Sequence, residues 1–302
     1  MKTTDFSYCL PPELIAQTPS ERRDHSRLMV IDRSSGELRH CFFYDLPNFL
    51  QAGDCLVLNN SRVIPARLLG KRLHGGAAEI LLLNDMGGDR WECLVKPGKS
   101  LHAGARVFFG DGKLTGEIER VGEGGMRTVR FFYDGIWNEL LNELGALPLP
   151  HYIRAIPEDT ERYQTVYAKP PGSAAAPTAG LHFTPELLGT LRERGVNIAE
   201  VTLHVGLGTF RPVKAEHISD HKMHTERYEV SEETASVINE TRRSGRRIVA
   251  VGTTSCRTLE SAADNGGAVH PGCGETDIFI TPGYAFRATD ALITNYHLPQ
   301  ST

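Results

Sequence analysis

Two hydrophobic patterns divide the chain. From residue 63 to about 134, apolar and polar positions alternate in six short runs: "RLLGKRL", "AAEILLL", "RWECLVKP", "ARVFFG", "LTGEIERV" and "RTVRFFYD". GG, DMGGD, GDG and GEGG interrupt them. Period-2 alternation broken by glycine-rich turns predicts strands joined by hairpins. Residues 70–125 hold 13 of the 30 glycines. Six strands are about enough to close a small barrel, and closure removes exposed sheet edges. Residues 63–134 are therefore expected to form an inserted all-β barrel domain.

Elsewhere helical and strand patterns alternate. "TPELLGTLRERG" (184–195) opens on a Thr-Pro start signal and closes at glycine, which predicts a helix. "VNIAEVTLHV" predicts a strand. "SEETASVINETRRSG" (231–245) has a serine cap, first-turn glutamates and arginines before the closing glycine. "RRIVAVGTTSCRTLESAAD" predicts a buried strand, a hydroxyl-rich turn and a helix. This αβ order predicts an open α/β sheet domain, discontinuous over 1–62 and 135–302. The early runs "LMVIDR" and "DCLVLNN" are expected to join that sheet.

Composition narrows the class. The 302 residues are 40% hydrophobic and 23% charged, ordinary for a globular chain of two domains. No apolar run approaches the roughly 18 residues of a membrane span, and the N-terminus lacks a signal-peptide core. The six cysteines are scattered without a CxxC pair, which predicts a reducing, cytoplasmic setting. A net charge of −4 disfavours wholesale non-specific nucleic-acid binding and leaves room for a local basic patch.

The candidate chemistry lies in loops. "PTAGLHFT" (177–184) offers Thr178, His182 and Gly180, a glycine that would let a ligand approach the backbone. "VTLHVGLGTFRPV" (201–213) offers His204, Gly206, Gly208, Thr209 and Arg211 at the end of a predicted strand, where open α/β sheets bind ligands. Either loop alone is more simply explained by a satisfied core histidine; two at matched positions favour a site. Thr253, Thr254 and Ser255 in "VGTTSCR" open a predicted helix and could face an anion, though a plain hydroxyl cap explains them equally well. His221 and His224 lack the third ligand that zinc requires, so no metal is expected. Arg62 and Arg67 fall at the expected barrel mouth. Arg242, Arg243, Arg246 and Arg247 form the densest basic cluster, by default a solvated helix end.

Seven segments carry a resemblance: "ELIAQTPSERRDHSRLMV", "NNSRVIPARLLG", "YQTVYAKPPGSAAAPTAGLHFT", "TLHVGLGTFRPV", "HKMHTERYEV", "VGTTSCRTLES" and "TDIFITPGYAFRATDALITNYHLPQST". In this order they resemble the S-adenosylmethionine:tRNA ribosyltransferase-isomerases of queuosine biosynthesis. The resemblance implies an α/β domain carrying an inserted barrel. It also implies transfer of the ribosyl group of S-adenosylmethionine to 7-aminomethyl-7-deazaguanine at a tRNA wobble position. S-adenosylmethionine would be a consumed substrate, with no cofactor, and tRNA the partner of a cytoplasmic monomer. Family members are expected to continue past "NYHLPQST" with an apolar helix and a tail, whereas this sequence stops at Thr302.

That chemistry needs a base for the C5′–H beside the sulfonium and an acid for departing adenine. Histidine serves either role near neutral pH. His182, His204 and Thr209 are the catalytic candidates. Thr178, Gly180, Gly206, Gly208, Arg211, Thr253, Thr254 and Ser255 are candidates for binding substrate, and Arg62, Arg67, Arg242 and Arg243 for binding tRNA. Two rival classes differ in testable ways. An RNA methyltransferase would need a glycine-rich first turn and an acidic strand end, which are lacking. A non-catalytic RNA-binding barrel would need an aromatic-basic strand pattern.

Overall fold

The computed structural model describes residues 1–150, 152–155, 159–206, 213 and 215–301. The chain forms two compact units: Met1–Arg62 with His151–Pro170 and Ala176–Thr302, and Val63–Pro150 with Pro171–Ala175.

The first unit begins with a hairpin of β1 (Arg27–Ile31) and β2 (Leu38–Phe42). "LMVIDR" was expected in the main sheet; it pairs with β2 instead, as a separate two-stranded sheet. Its exposure explains this, because both ends of β1 and most of β2 face solvent. β3 (Cys55–Asn59), by contrast, is buried at every position and lies inside the main sheet. The short β4 (Arg62–Val63) follows it.

The second unit is a barrel. β5 (Arg67–Arg72), β6 (Ala77–Gly87), β7 (Arg90–Lys96), β8 (Arg106–Phe109), β9 (Leu114–Val121) and β10 (Met126–Tyr133) are the six alternating runs of the sequence. They hydrogen-bond in the order β5-β6-β7-β10-β9-β8, and β8 returns to β5 through Lys71↔Phe108 and Arg72↔Val107. Closure needs Gly70, where a Cβ would lie 2.6 Å from the Phe108 carbonyl oxygen. Alternate positions fill the interior: Leu68, Ile80, Leu82, Val107, Leu114, Ile118, Val129 and Phe131 are buried. The unit is longer than the expected 63–134. Helix α1 (Trp137–Leu144) places Trp137 against Phe131, Tyr133 and Trp91. β11 (Gly145–Ala146) then pairs with β5, and near β12 (Pro171–Ser173) the Ile64 N–H donates to Ser173 O. Residues 135–150 have no alternation, so their docking was invisible to a period-2 reading.

The rest of the chain completes the first unit. Helix α2 (Pro185–Glu193) is capped by Thr184, whose hydroxyl accepts from Leu187 N–H at 3.1 Å. Helix α3 (Glu232–Arg243) is capped likewise by Ser231. β13 (Asn197–Leu203), β14 (Glu226–Val230), β15 (Ile248–Val251), β16 (Gly272–Thr276) and β17 (Ala291–Ile293) join β3 in the order β16-β14-β13-β3-β15-β17. β13, β3, β15 and β17 are parallel; β14 and β16 add an antiparallel flank, so the sheet is mixed. Both faces of the parallel strands are covered, which is why they read as continuous apolar runs. Cys55, Val57, Ile248 and Ala250 pack with Ile238 of α3 and Leu259 of helix α4 (Gly252–Ala262). Leu56, Leu58, Val249 and Val251 pack with Phe43, Phe183 and the α2 leucines Leu187 and Leu191.

Candidate active site

The parallel strands end along one edge, and each is followed by polar chain. His204–Gly206 follow β13, Asn60 and Ser61 follow β3, Gly252–Ser255 follow β15, and Asn295 lies two residues past β17. The Thr178–His182 turn reaches the same edge. His182 Nε2 lies 3.0 Å from Asn295 Oδ1, and a Cβ on Gly252 would lie 3.9 Å from Ala179 Cβ. Both His182 and His204 thus come to the carboxyl edge of the parallel strands, where open sheets bind ligands.

The two histidines differ at this edge. His182 is held at both ring nitrogens. Its Nε2 is hydrogen-bonded to Asn295 Oδ1 at 3.0 Å and its Nδ1 to the Ser26 hydroxyl at 2.8 Å. Its ring packs on Phe43 at 5.2 Å, and Arg23 Nη1 donates to the preceding carbonyl, Leu181 O, at 3.0 Å. Burial pushes its pKa down, so the neutral ring is favoured. His204 is anchored through its backbone. Asn59, fully buried, takes the Leu203 N–H on Oδ1 and donates to Leu203 O from Nδ2, both at 3.0 Å. The His204 N–H donates to Arg227 O at 3.1 Å. His204 Nδ1 is buried with no hydrogen-bond partner among the described residues. Burial lowers the His204 pKa as well, against a smaller upward pull from Glu229.

Hydroxyls without partners surround the same edge. Ser61, Thr165, Tyr167, Thr254 and Ser255 each bury a hydroxyl oxygen that has none among the described residues. A buried polar group left unpaired costs about 1–3 kcal/mol, so such groups concentrated at one edge call for a ligand. Burial pushes the Tyr167 phenol far up, which keeps it a proton-bearing donor. The phenol also alters the reading of Gly180. A Cβ there would lie 2.0 Å from Tyr167 Oη, so Gly180 is small to admit Tyr167 rather than a ligand. Gly206 is open, with nothing within 4 Å of a would-be Cβ. The "GTTS" segment is the first turn of α4 rather than a turn before it. Gly252, at φ 84°, lets the helix start directly off β15, and no side chain caps it. The first-turn N–H groups and the buried Ser255 hydroxyl are what this helix offers an anion. Thr253 is exposed and Thr178 half-buried.

The family model for queuosine biosynthesis proteins matches residues 3–302. The chain belongs to the queuosine biosynthesis protein family. It is 57% identical to an S-adenosylmethionine:tRNA ribosyltransferase-isomerase of Acetivibrio thermocellus, over all of this chain and 89% of that protein. Its fold is similar to the crystal structure of an S-adenosylmethionine tRNA ribosyltransferase from Thermotoga maritima. That protein is 38% identical, with a TM-score of 0.51 over 98% of this chain and 86% of the other.

For this family member, the sequence reading missed a carboxylate. Neither histidine loop contains one, yet the antiparallel register of β13 with β14 brings Glu226 to Gly206, whose N–H donates to Glu226 Oε1 at 2.9 Å. The signal was available in "HKMHTERYEV", where Glu226 stands two residues from His224. Gly208, Thr209 and Arg211 lie outside the described residues. Of the arginines, Arg62 pairs with Glu161, Arg67 with Glu79 at 2.9 Å, and Arg243 with Glu240 at 2.5 Å. Arg67 belongs to the barrel unit and Arg62 to the sheet unit. Arg242 and Arg243 end α3, next to the start of β15 and so at the amino edge of the parallel strands, opposite the histidines. The Asp54–Arg247 ion pair holds that amino edge together at 2.5 Å. A cleft of about 750 Å³ in the barrel unit is lined by Asp89, Lys113, Arg130, Phe132 and Tyr133. No residue named from the sequence lines it, and Tyr133 and Lys113 are already bonded to Asp89 and Glu143. Among the described residues no helix is long and apolar enough to cross a membrane.

Proposed function

We propose that this chain is an S-adenosylmethionine:tRNA ribosyltransferase-isomerase. It moves and isomerises the ribosyl group of S-adenosylmethionine onto 7-aminomethyl-7-deazaguanine at the tRNA wobble position. The products are epoxyqueuosine-tRNA, adenine and methionine. The observation that carries this reading is the 57% identity to a relative of that name across the whole chain. S-adenosylmethionine is consumed as a substrate, and neither cofactor nor metal takes part. The protein works as a cytoplasmic monomer.

The residues fit these needs. The sulfonium makes the neighbouring C5′–H acidic, so a neutral imidazole with an open nitrogen is the group required. His204, whose Nδ1 is buried without a partner among the described residues, is a candidate for passing a proton to the departing adenine. The first-turn N–H groups of α4, with the Thr254 and Ser255 hydroxyls, suit the methionine carboxylate. Tyr167 and Thr165 suit the ribose oxygens, and Thr178 borders them. Gly206, Gly208 and Arg211 are candidates for binding substrate, and Thr209 for catalysis. tRNA is held by arginines, with Arg62, Arg67, Arg242 and Arg243 as the candidates.

The test is product analysis. Purified protein given S-adenosylmethionine should release adenine and methionine only when tRNA bearing the aminomethyl-deazaguanine is present. S-adenosylhomocysteine as the product would replace this reading with methyl transfer. RNA binding without consumption of S-adenosylmethionine would replace it with a binding module.

A further inference from the structure

Glu226 is a buried carboxylate, 4% exposed, that joins three segments of the sheet unit. Its Oε1 accepts from the Gly206 N–H and from His224 Nε2, at 2.9 and 3.2 Å. Its Oε2 takes the Arg257 guanidinium, which comes from α4, the helix whose first turn carries Thr254 and Ser255. Arg257 balances the charge of the carboxylate, and Arg257 Nη2 donates onward to Thr276 O at 3.3 Å. His224 is about a quarter exposed, and its Nδ1 has no hydrogen-bond partner among the described residues. With Nε2–H committed to Glu226, the lone pair of Nδ1 takes no hydrogen bond from any described residue. His182 has the reverse arrangement, with both nitrogens engaged by uncharged partners.

We propose that His224, oriented by Glu226, is the base that takes the substrate proton in this site, and that His182 is a positioning residue. The inference rests on the ribosyl-transfer reading above. In the step, the C5′–H bond breaks and its electron pair stays on carbon beside the sulfonium. The proton forms a new N–H bond at His224 Nδ1. The resulting imidazolium faces the Glu226 carboxylate, which holds its other N–H, as the carboxylate of a Ser-His-Asp triad holds its histidine. Among the described residues, the charged and titratable groups facing His224 are Glu226 from β14, Arg257 from α4 and His221 from its own loop; the His221 ring packs edge-on to Phe279 at 5.1 Å.

Single-turnover adenine release at saturating S-adenosylmethionine and modified tRNA, followed against pH, tests this. His224→Gln should lower the rate by ~10²-fold or more, leave the S-adenosylmethionine KM within about threefold, and abolish the acid limb of the profile. Glu226→Gln keeps the shape and removes the charge, so it should slow turnover and move that limb to lower pH. His182→Gln should keep the limb. Because Glu226→Gln leaves Arg257 without its counter-ion, a second measurement avoids reliance on that variant. ¹⁵N imidazole titration of the free wild-type protein should show His224 Nε2 protonated and Nδ1 unprotonated in its neutral form. A near-wild-type rate for His224→Gln, or loss of the limb in His182→Gln instead, overturns the assignment, as does the opposite tautomer. If wild-type protein releases no adenine at all, the ribosyl reading fails, while the titration still reports on the His224–Glu226 pair.

Discussion

The two units treat polar groups differently. On the barrel, charged side chains pair across the strands: Arg67 with Glu79 and Arg106 with Glu117 between neighbours, and Arg90 of β7 with Glu119 of β9 across β10. Among its described residues, Arg72 Nε and Trp137 Nε1 are the buried side-chain polar atoms without a partner. Among its described residues the sheet unit leaves twelve with such atoms, and six of them, Ser61, Thr165, Tyr167, His204, Thr254 and Ser255, lie on or beside the carboxyl edge of its strands. A closed barrel satisfies itself because each strand has two neighbours. An open sheet ends in loops whose donors and acceptors wait for something else. Unpaired buried groups cost stability, so their concentration in one unit marks where binding recovers that cost.

The sharpest test sets a core substitution in one unit against a site substitution in the other. His204→Gln should lower single-turnover adenine release by ~10²–10⁴-fold with little change in melting temperature. Phe131→Ala, inside the barrel, should cost about 3–5 kcal/mol of stability and leave the rate per folded molecule nearly intact at low temperature. Parallel thermal unfolding and rate measurements decide; a rate loss in the barrel variant equal to that in the site variant would break the comparison.

Backbone support of the site comes next. Asn59→Ala removes both hydrogen bonds to Leu203 in a fully buried position. It should cost about 1–3 kcal/mol and lower turnover as well, because His204 follows directly. Urea unfolding together with the rate separates the two effects. Gly180→Ala should destabilise by about 1–3 kcal/mol through its clash with Tyr167, and Tyr167→Phe should restore part of that loss in the double variant. Tyr167→Phe alone should leave stability unchanged, since it removes a hydroxyl with no partner among the described residues, and should raise the S-adenosylmethionine KM several-fold.

A smaller effect is pH-linked. Burial depresses the pKa of His182, His204 and His297 in the folded chain. The unfolded state, with histidines near about 6.5, therefore binds more protons at mildly acid pH. Their contribution is complete above about pH 6.5 and is lost as the pH falls through the lower folded values. The melting temperature should thus decline below that point, and His182→Gln with His204→Gln should flatten the decline. The smallest effect concerns tRNA. Each phosphate contact removed should make the log–log salt dependence of binding shallower by roughly 0.7–0.9. Arg62, Arg67 and Arg243 already carry acidic partners, so Arg242→Ala should change the slope more than any of them.

Local signals explain what was legible in advance. The six barrel strands were visible because their alternation is set by residues two apart and their breaks by glycine. Helices α2 and α3 were visible because Thr184 and Ser231 cap them from the adjoining residue. β1 was misassigned because an apolar run does not state which partner it pairs with; the partly exposed hairpin with β2 took it. The "GTTS" turn was expected to precede its helix, and a single positive-φ glycine at Gly252 starts the helix inside it. At the site, the histidine loops could be found from residue type. Their unequal hydrogen bonding could not, because Ser26 and Asn295 are 156 and 113 residues from His182.

The sequence by itself determined the barrel's strands, the capped helices, the inventory of imidazoles and hydroxyls in the loops, and the family. These depend on near neighbours along the chain or on long stretches read in order. Tertiary structure decided which imidazole nitrogens are open and that Tyr167 covers Gly180. It also decided that Glu226 stands beside Gly206. Those facts follow from strand order and register, which join residues far apart in the chain. A one-residue slip in β14 would turn Glu226 to the other face of the sheet and away from His224 and Arg257.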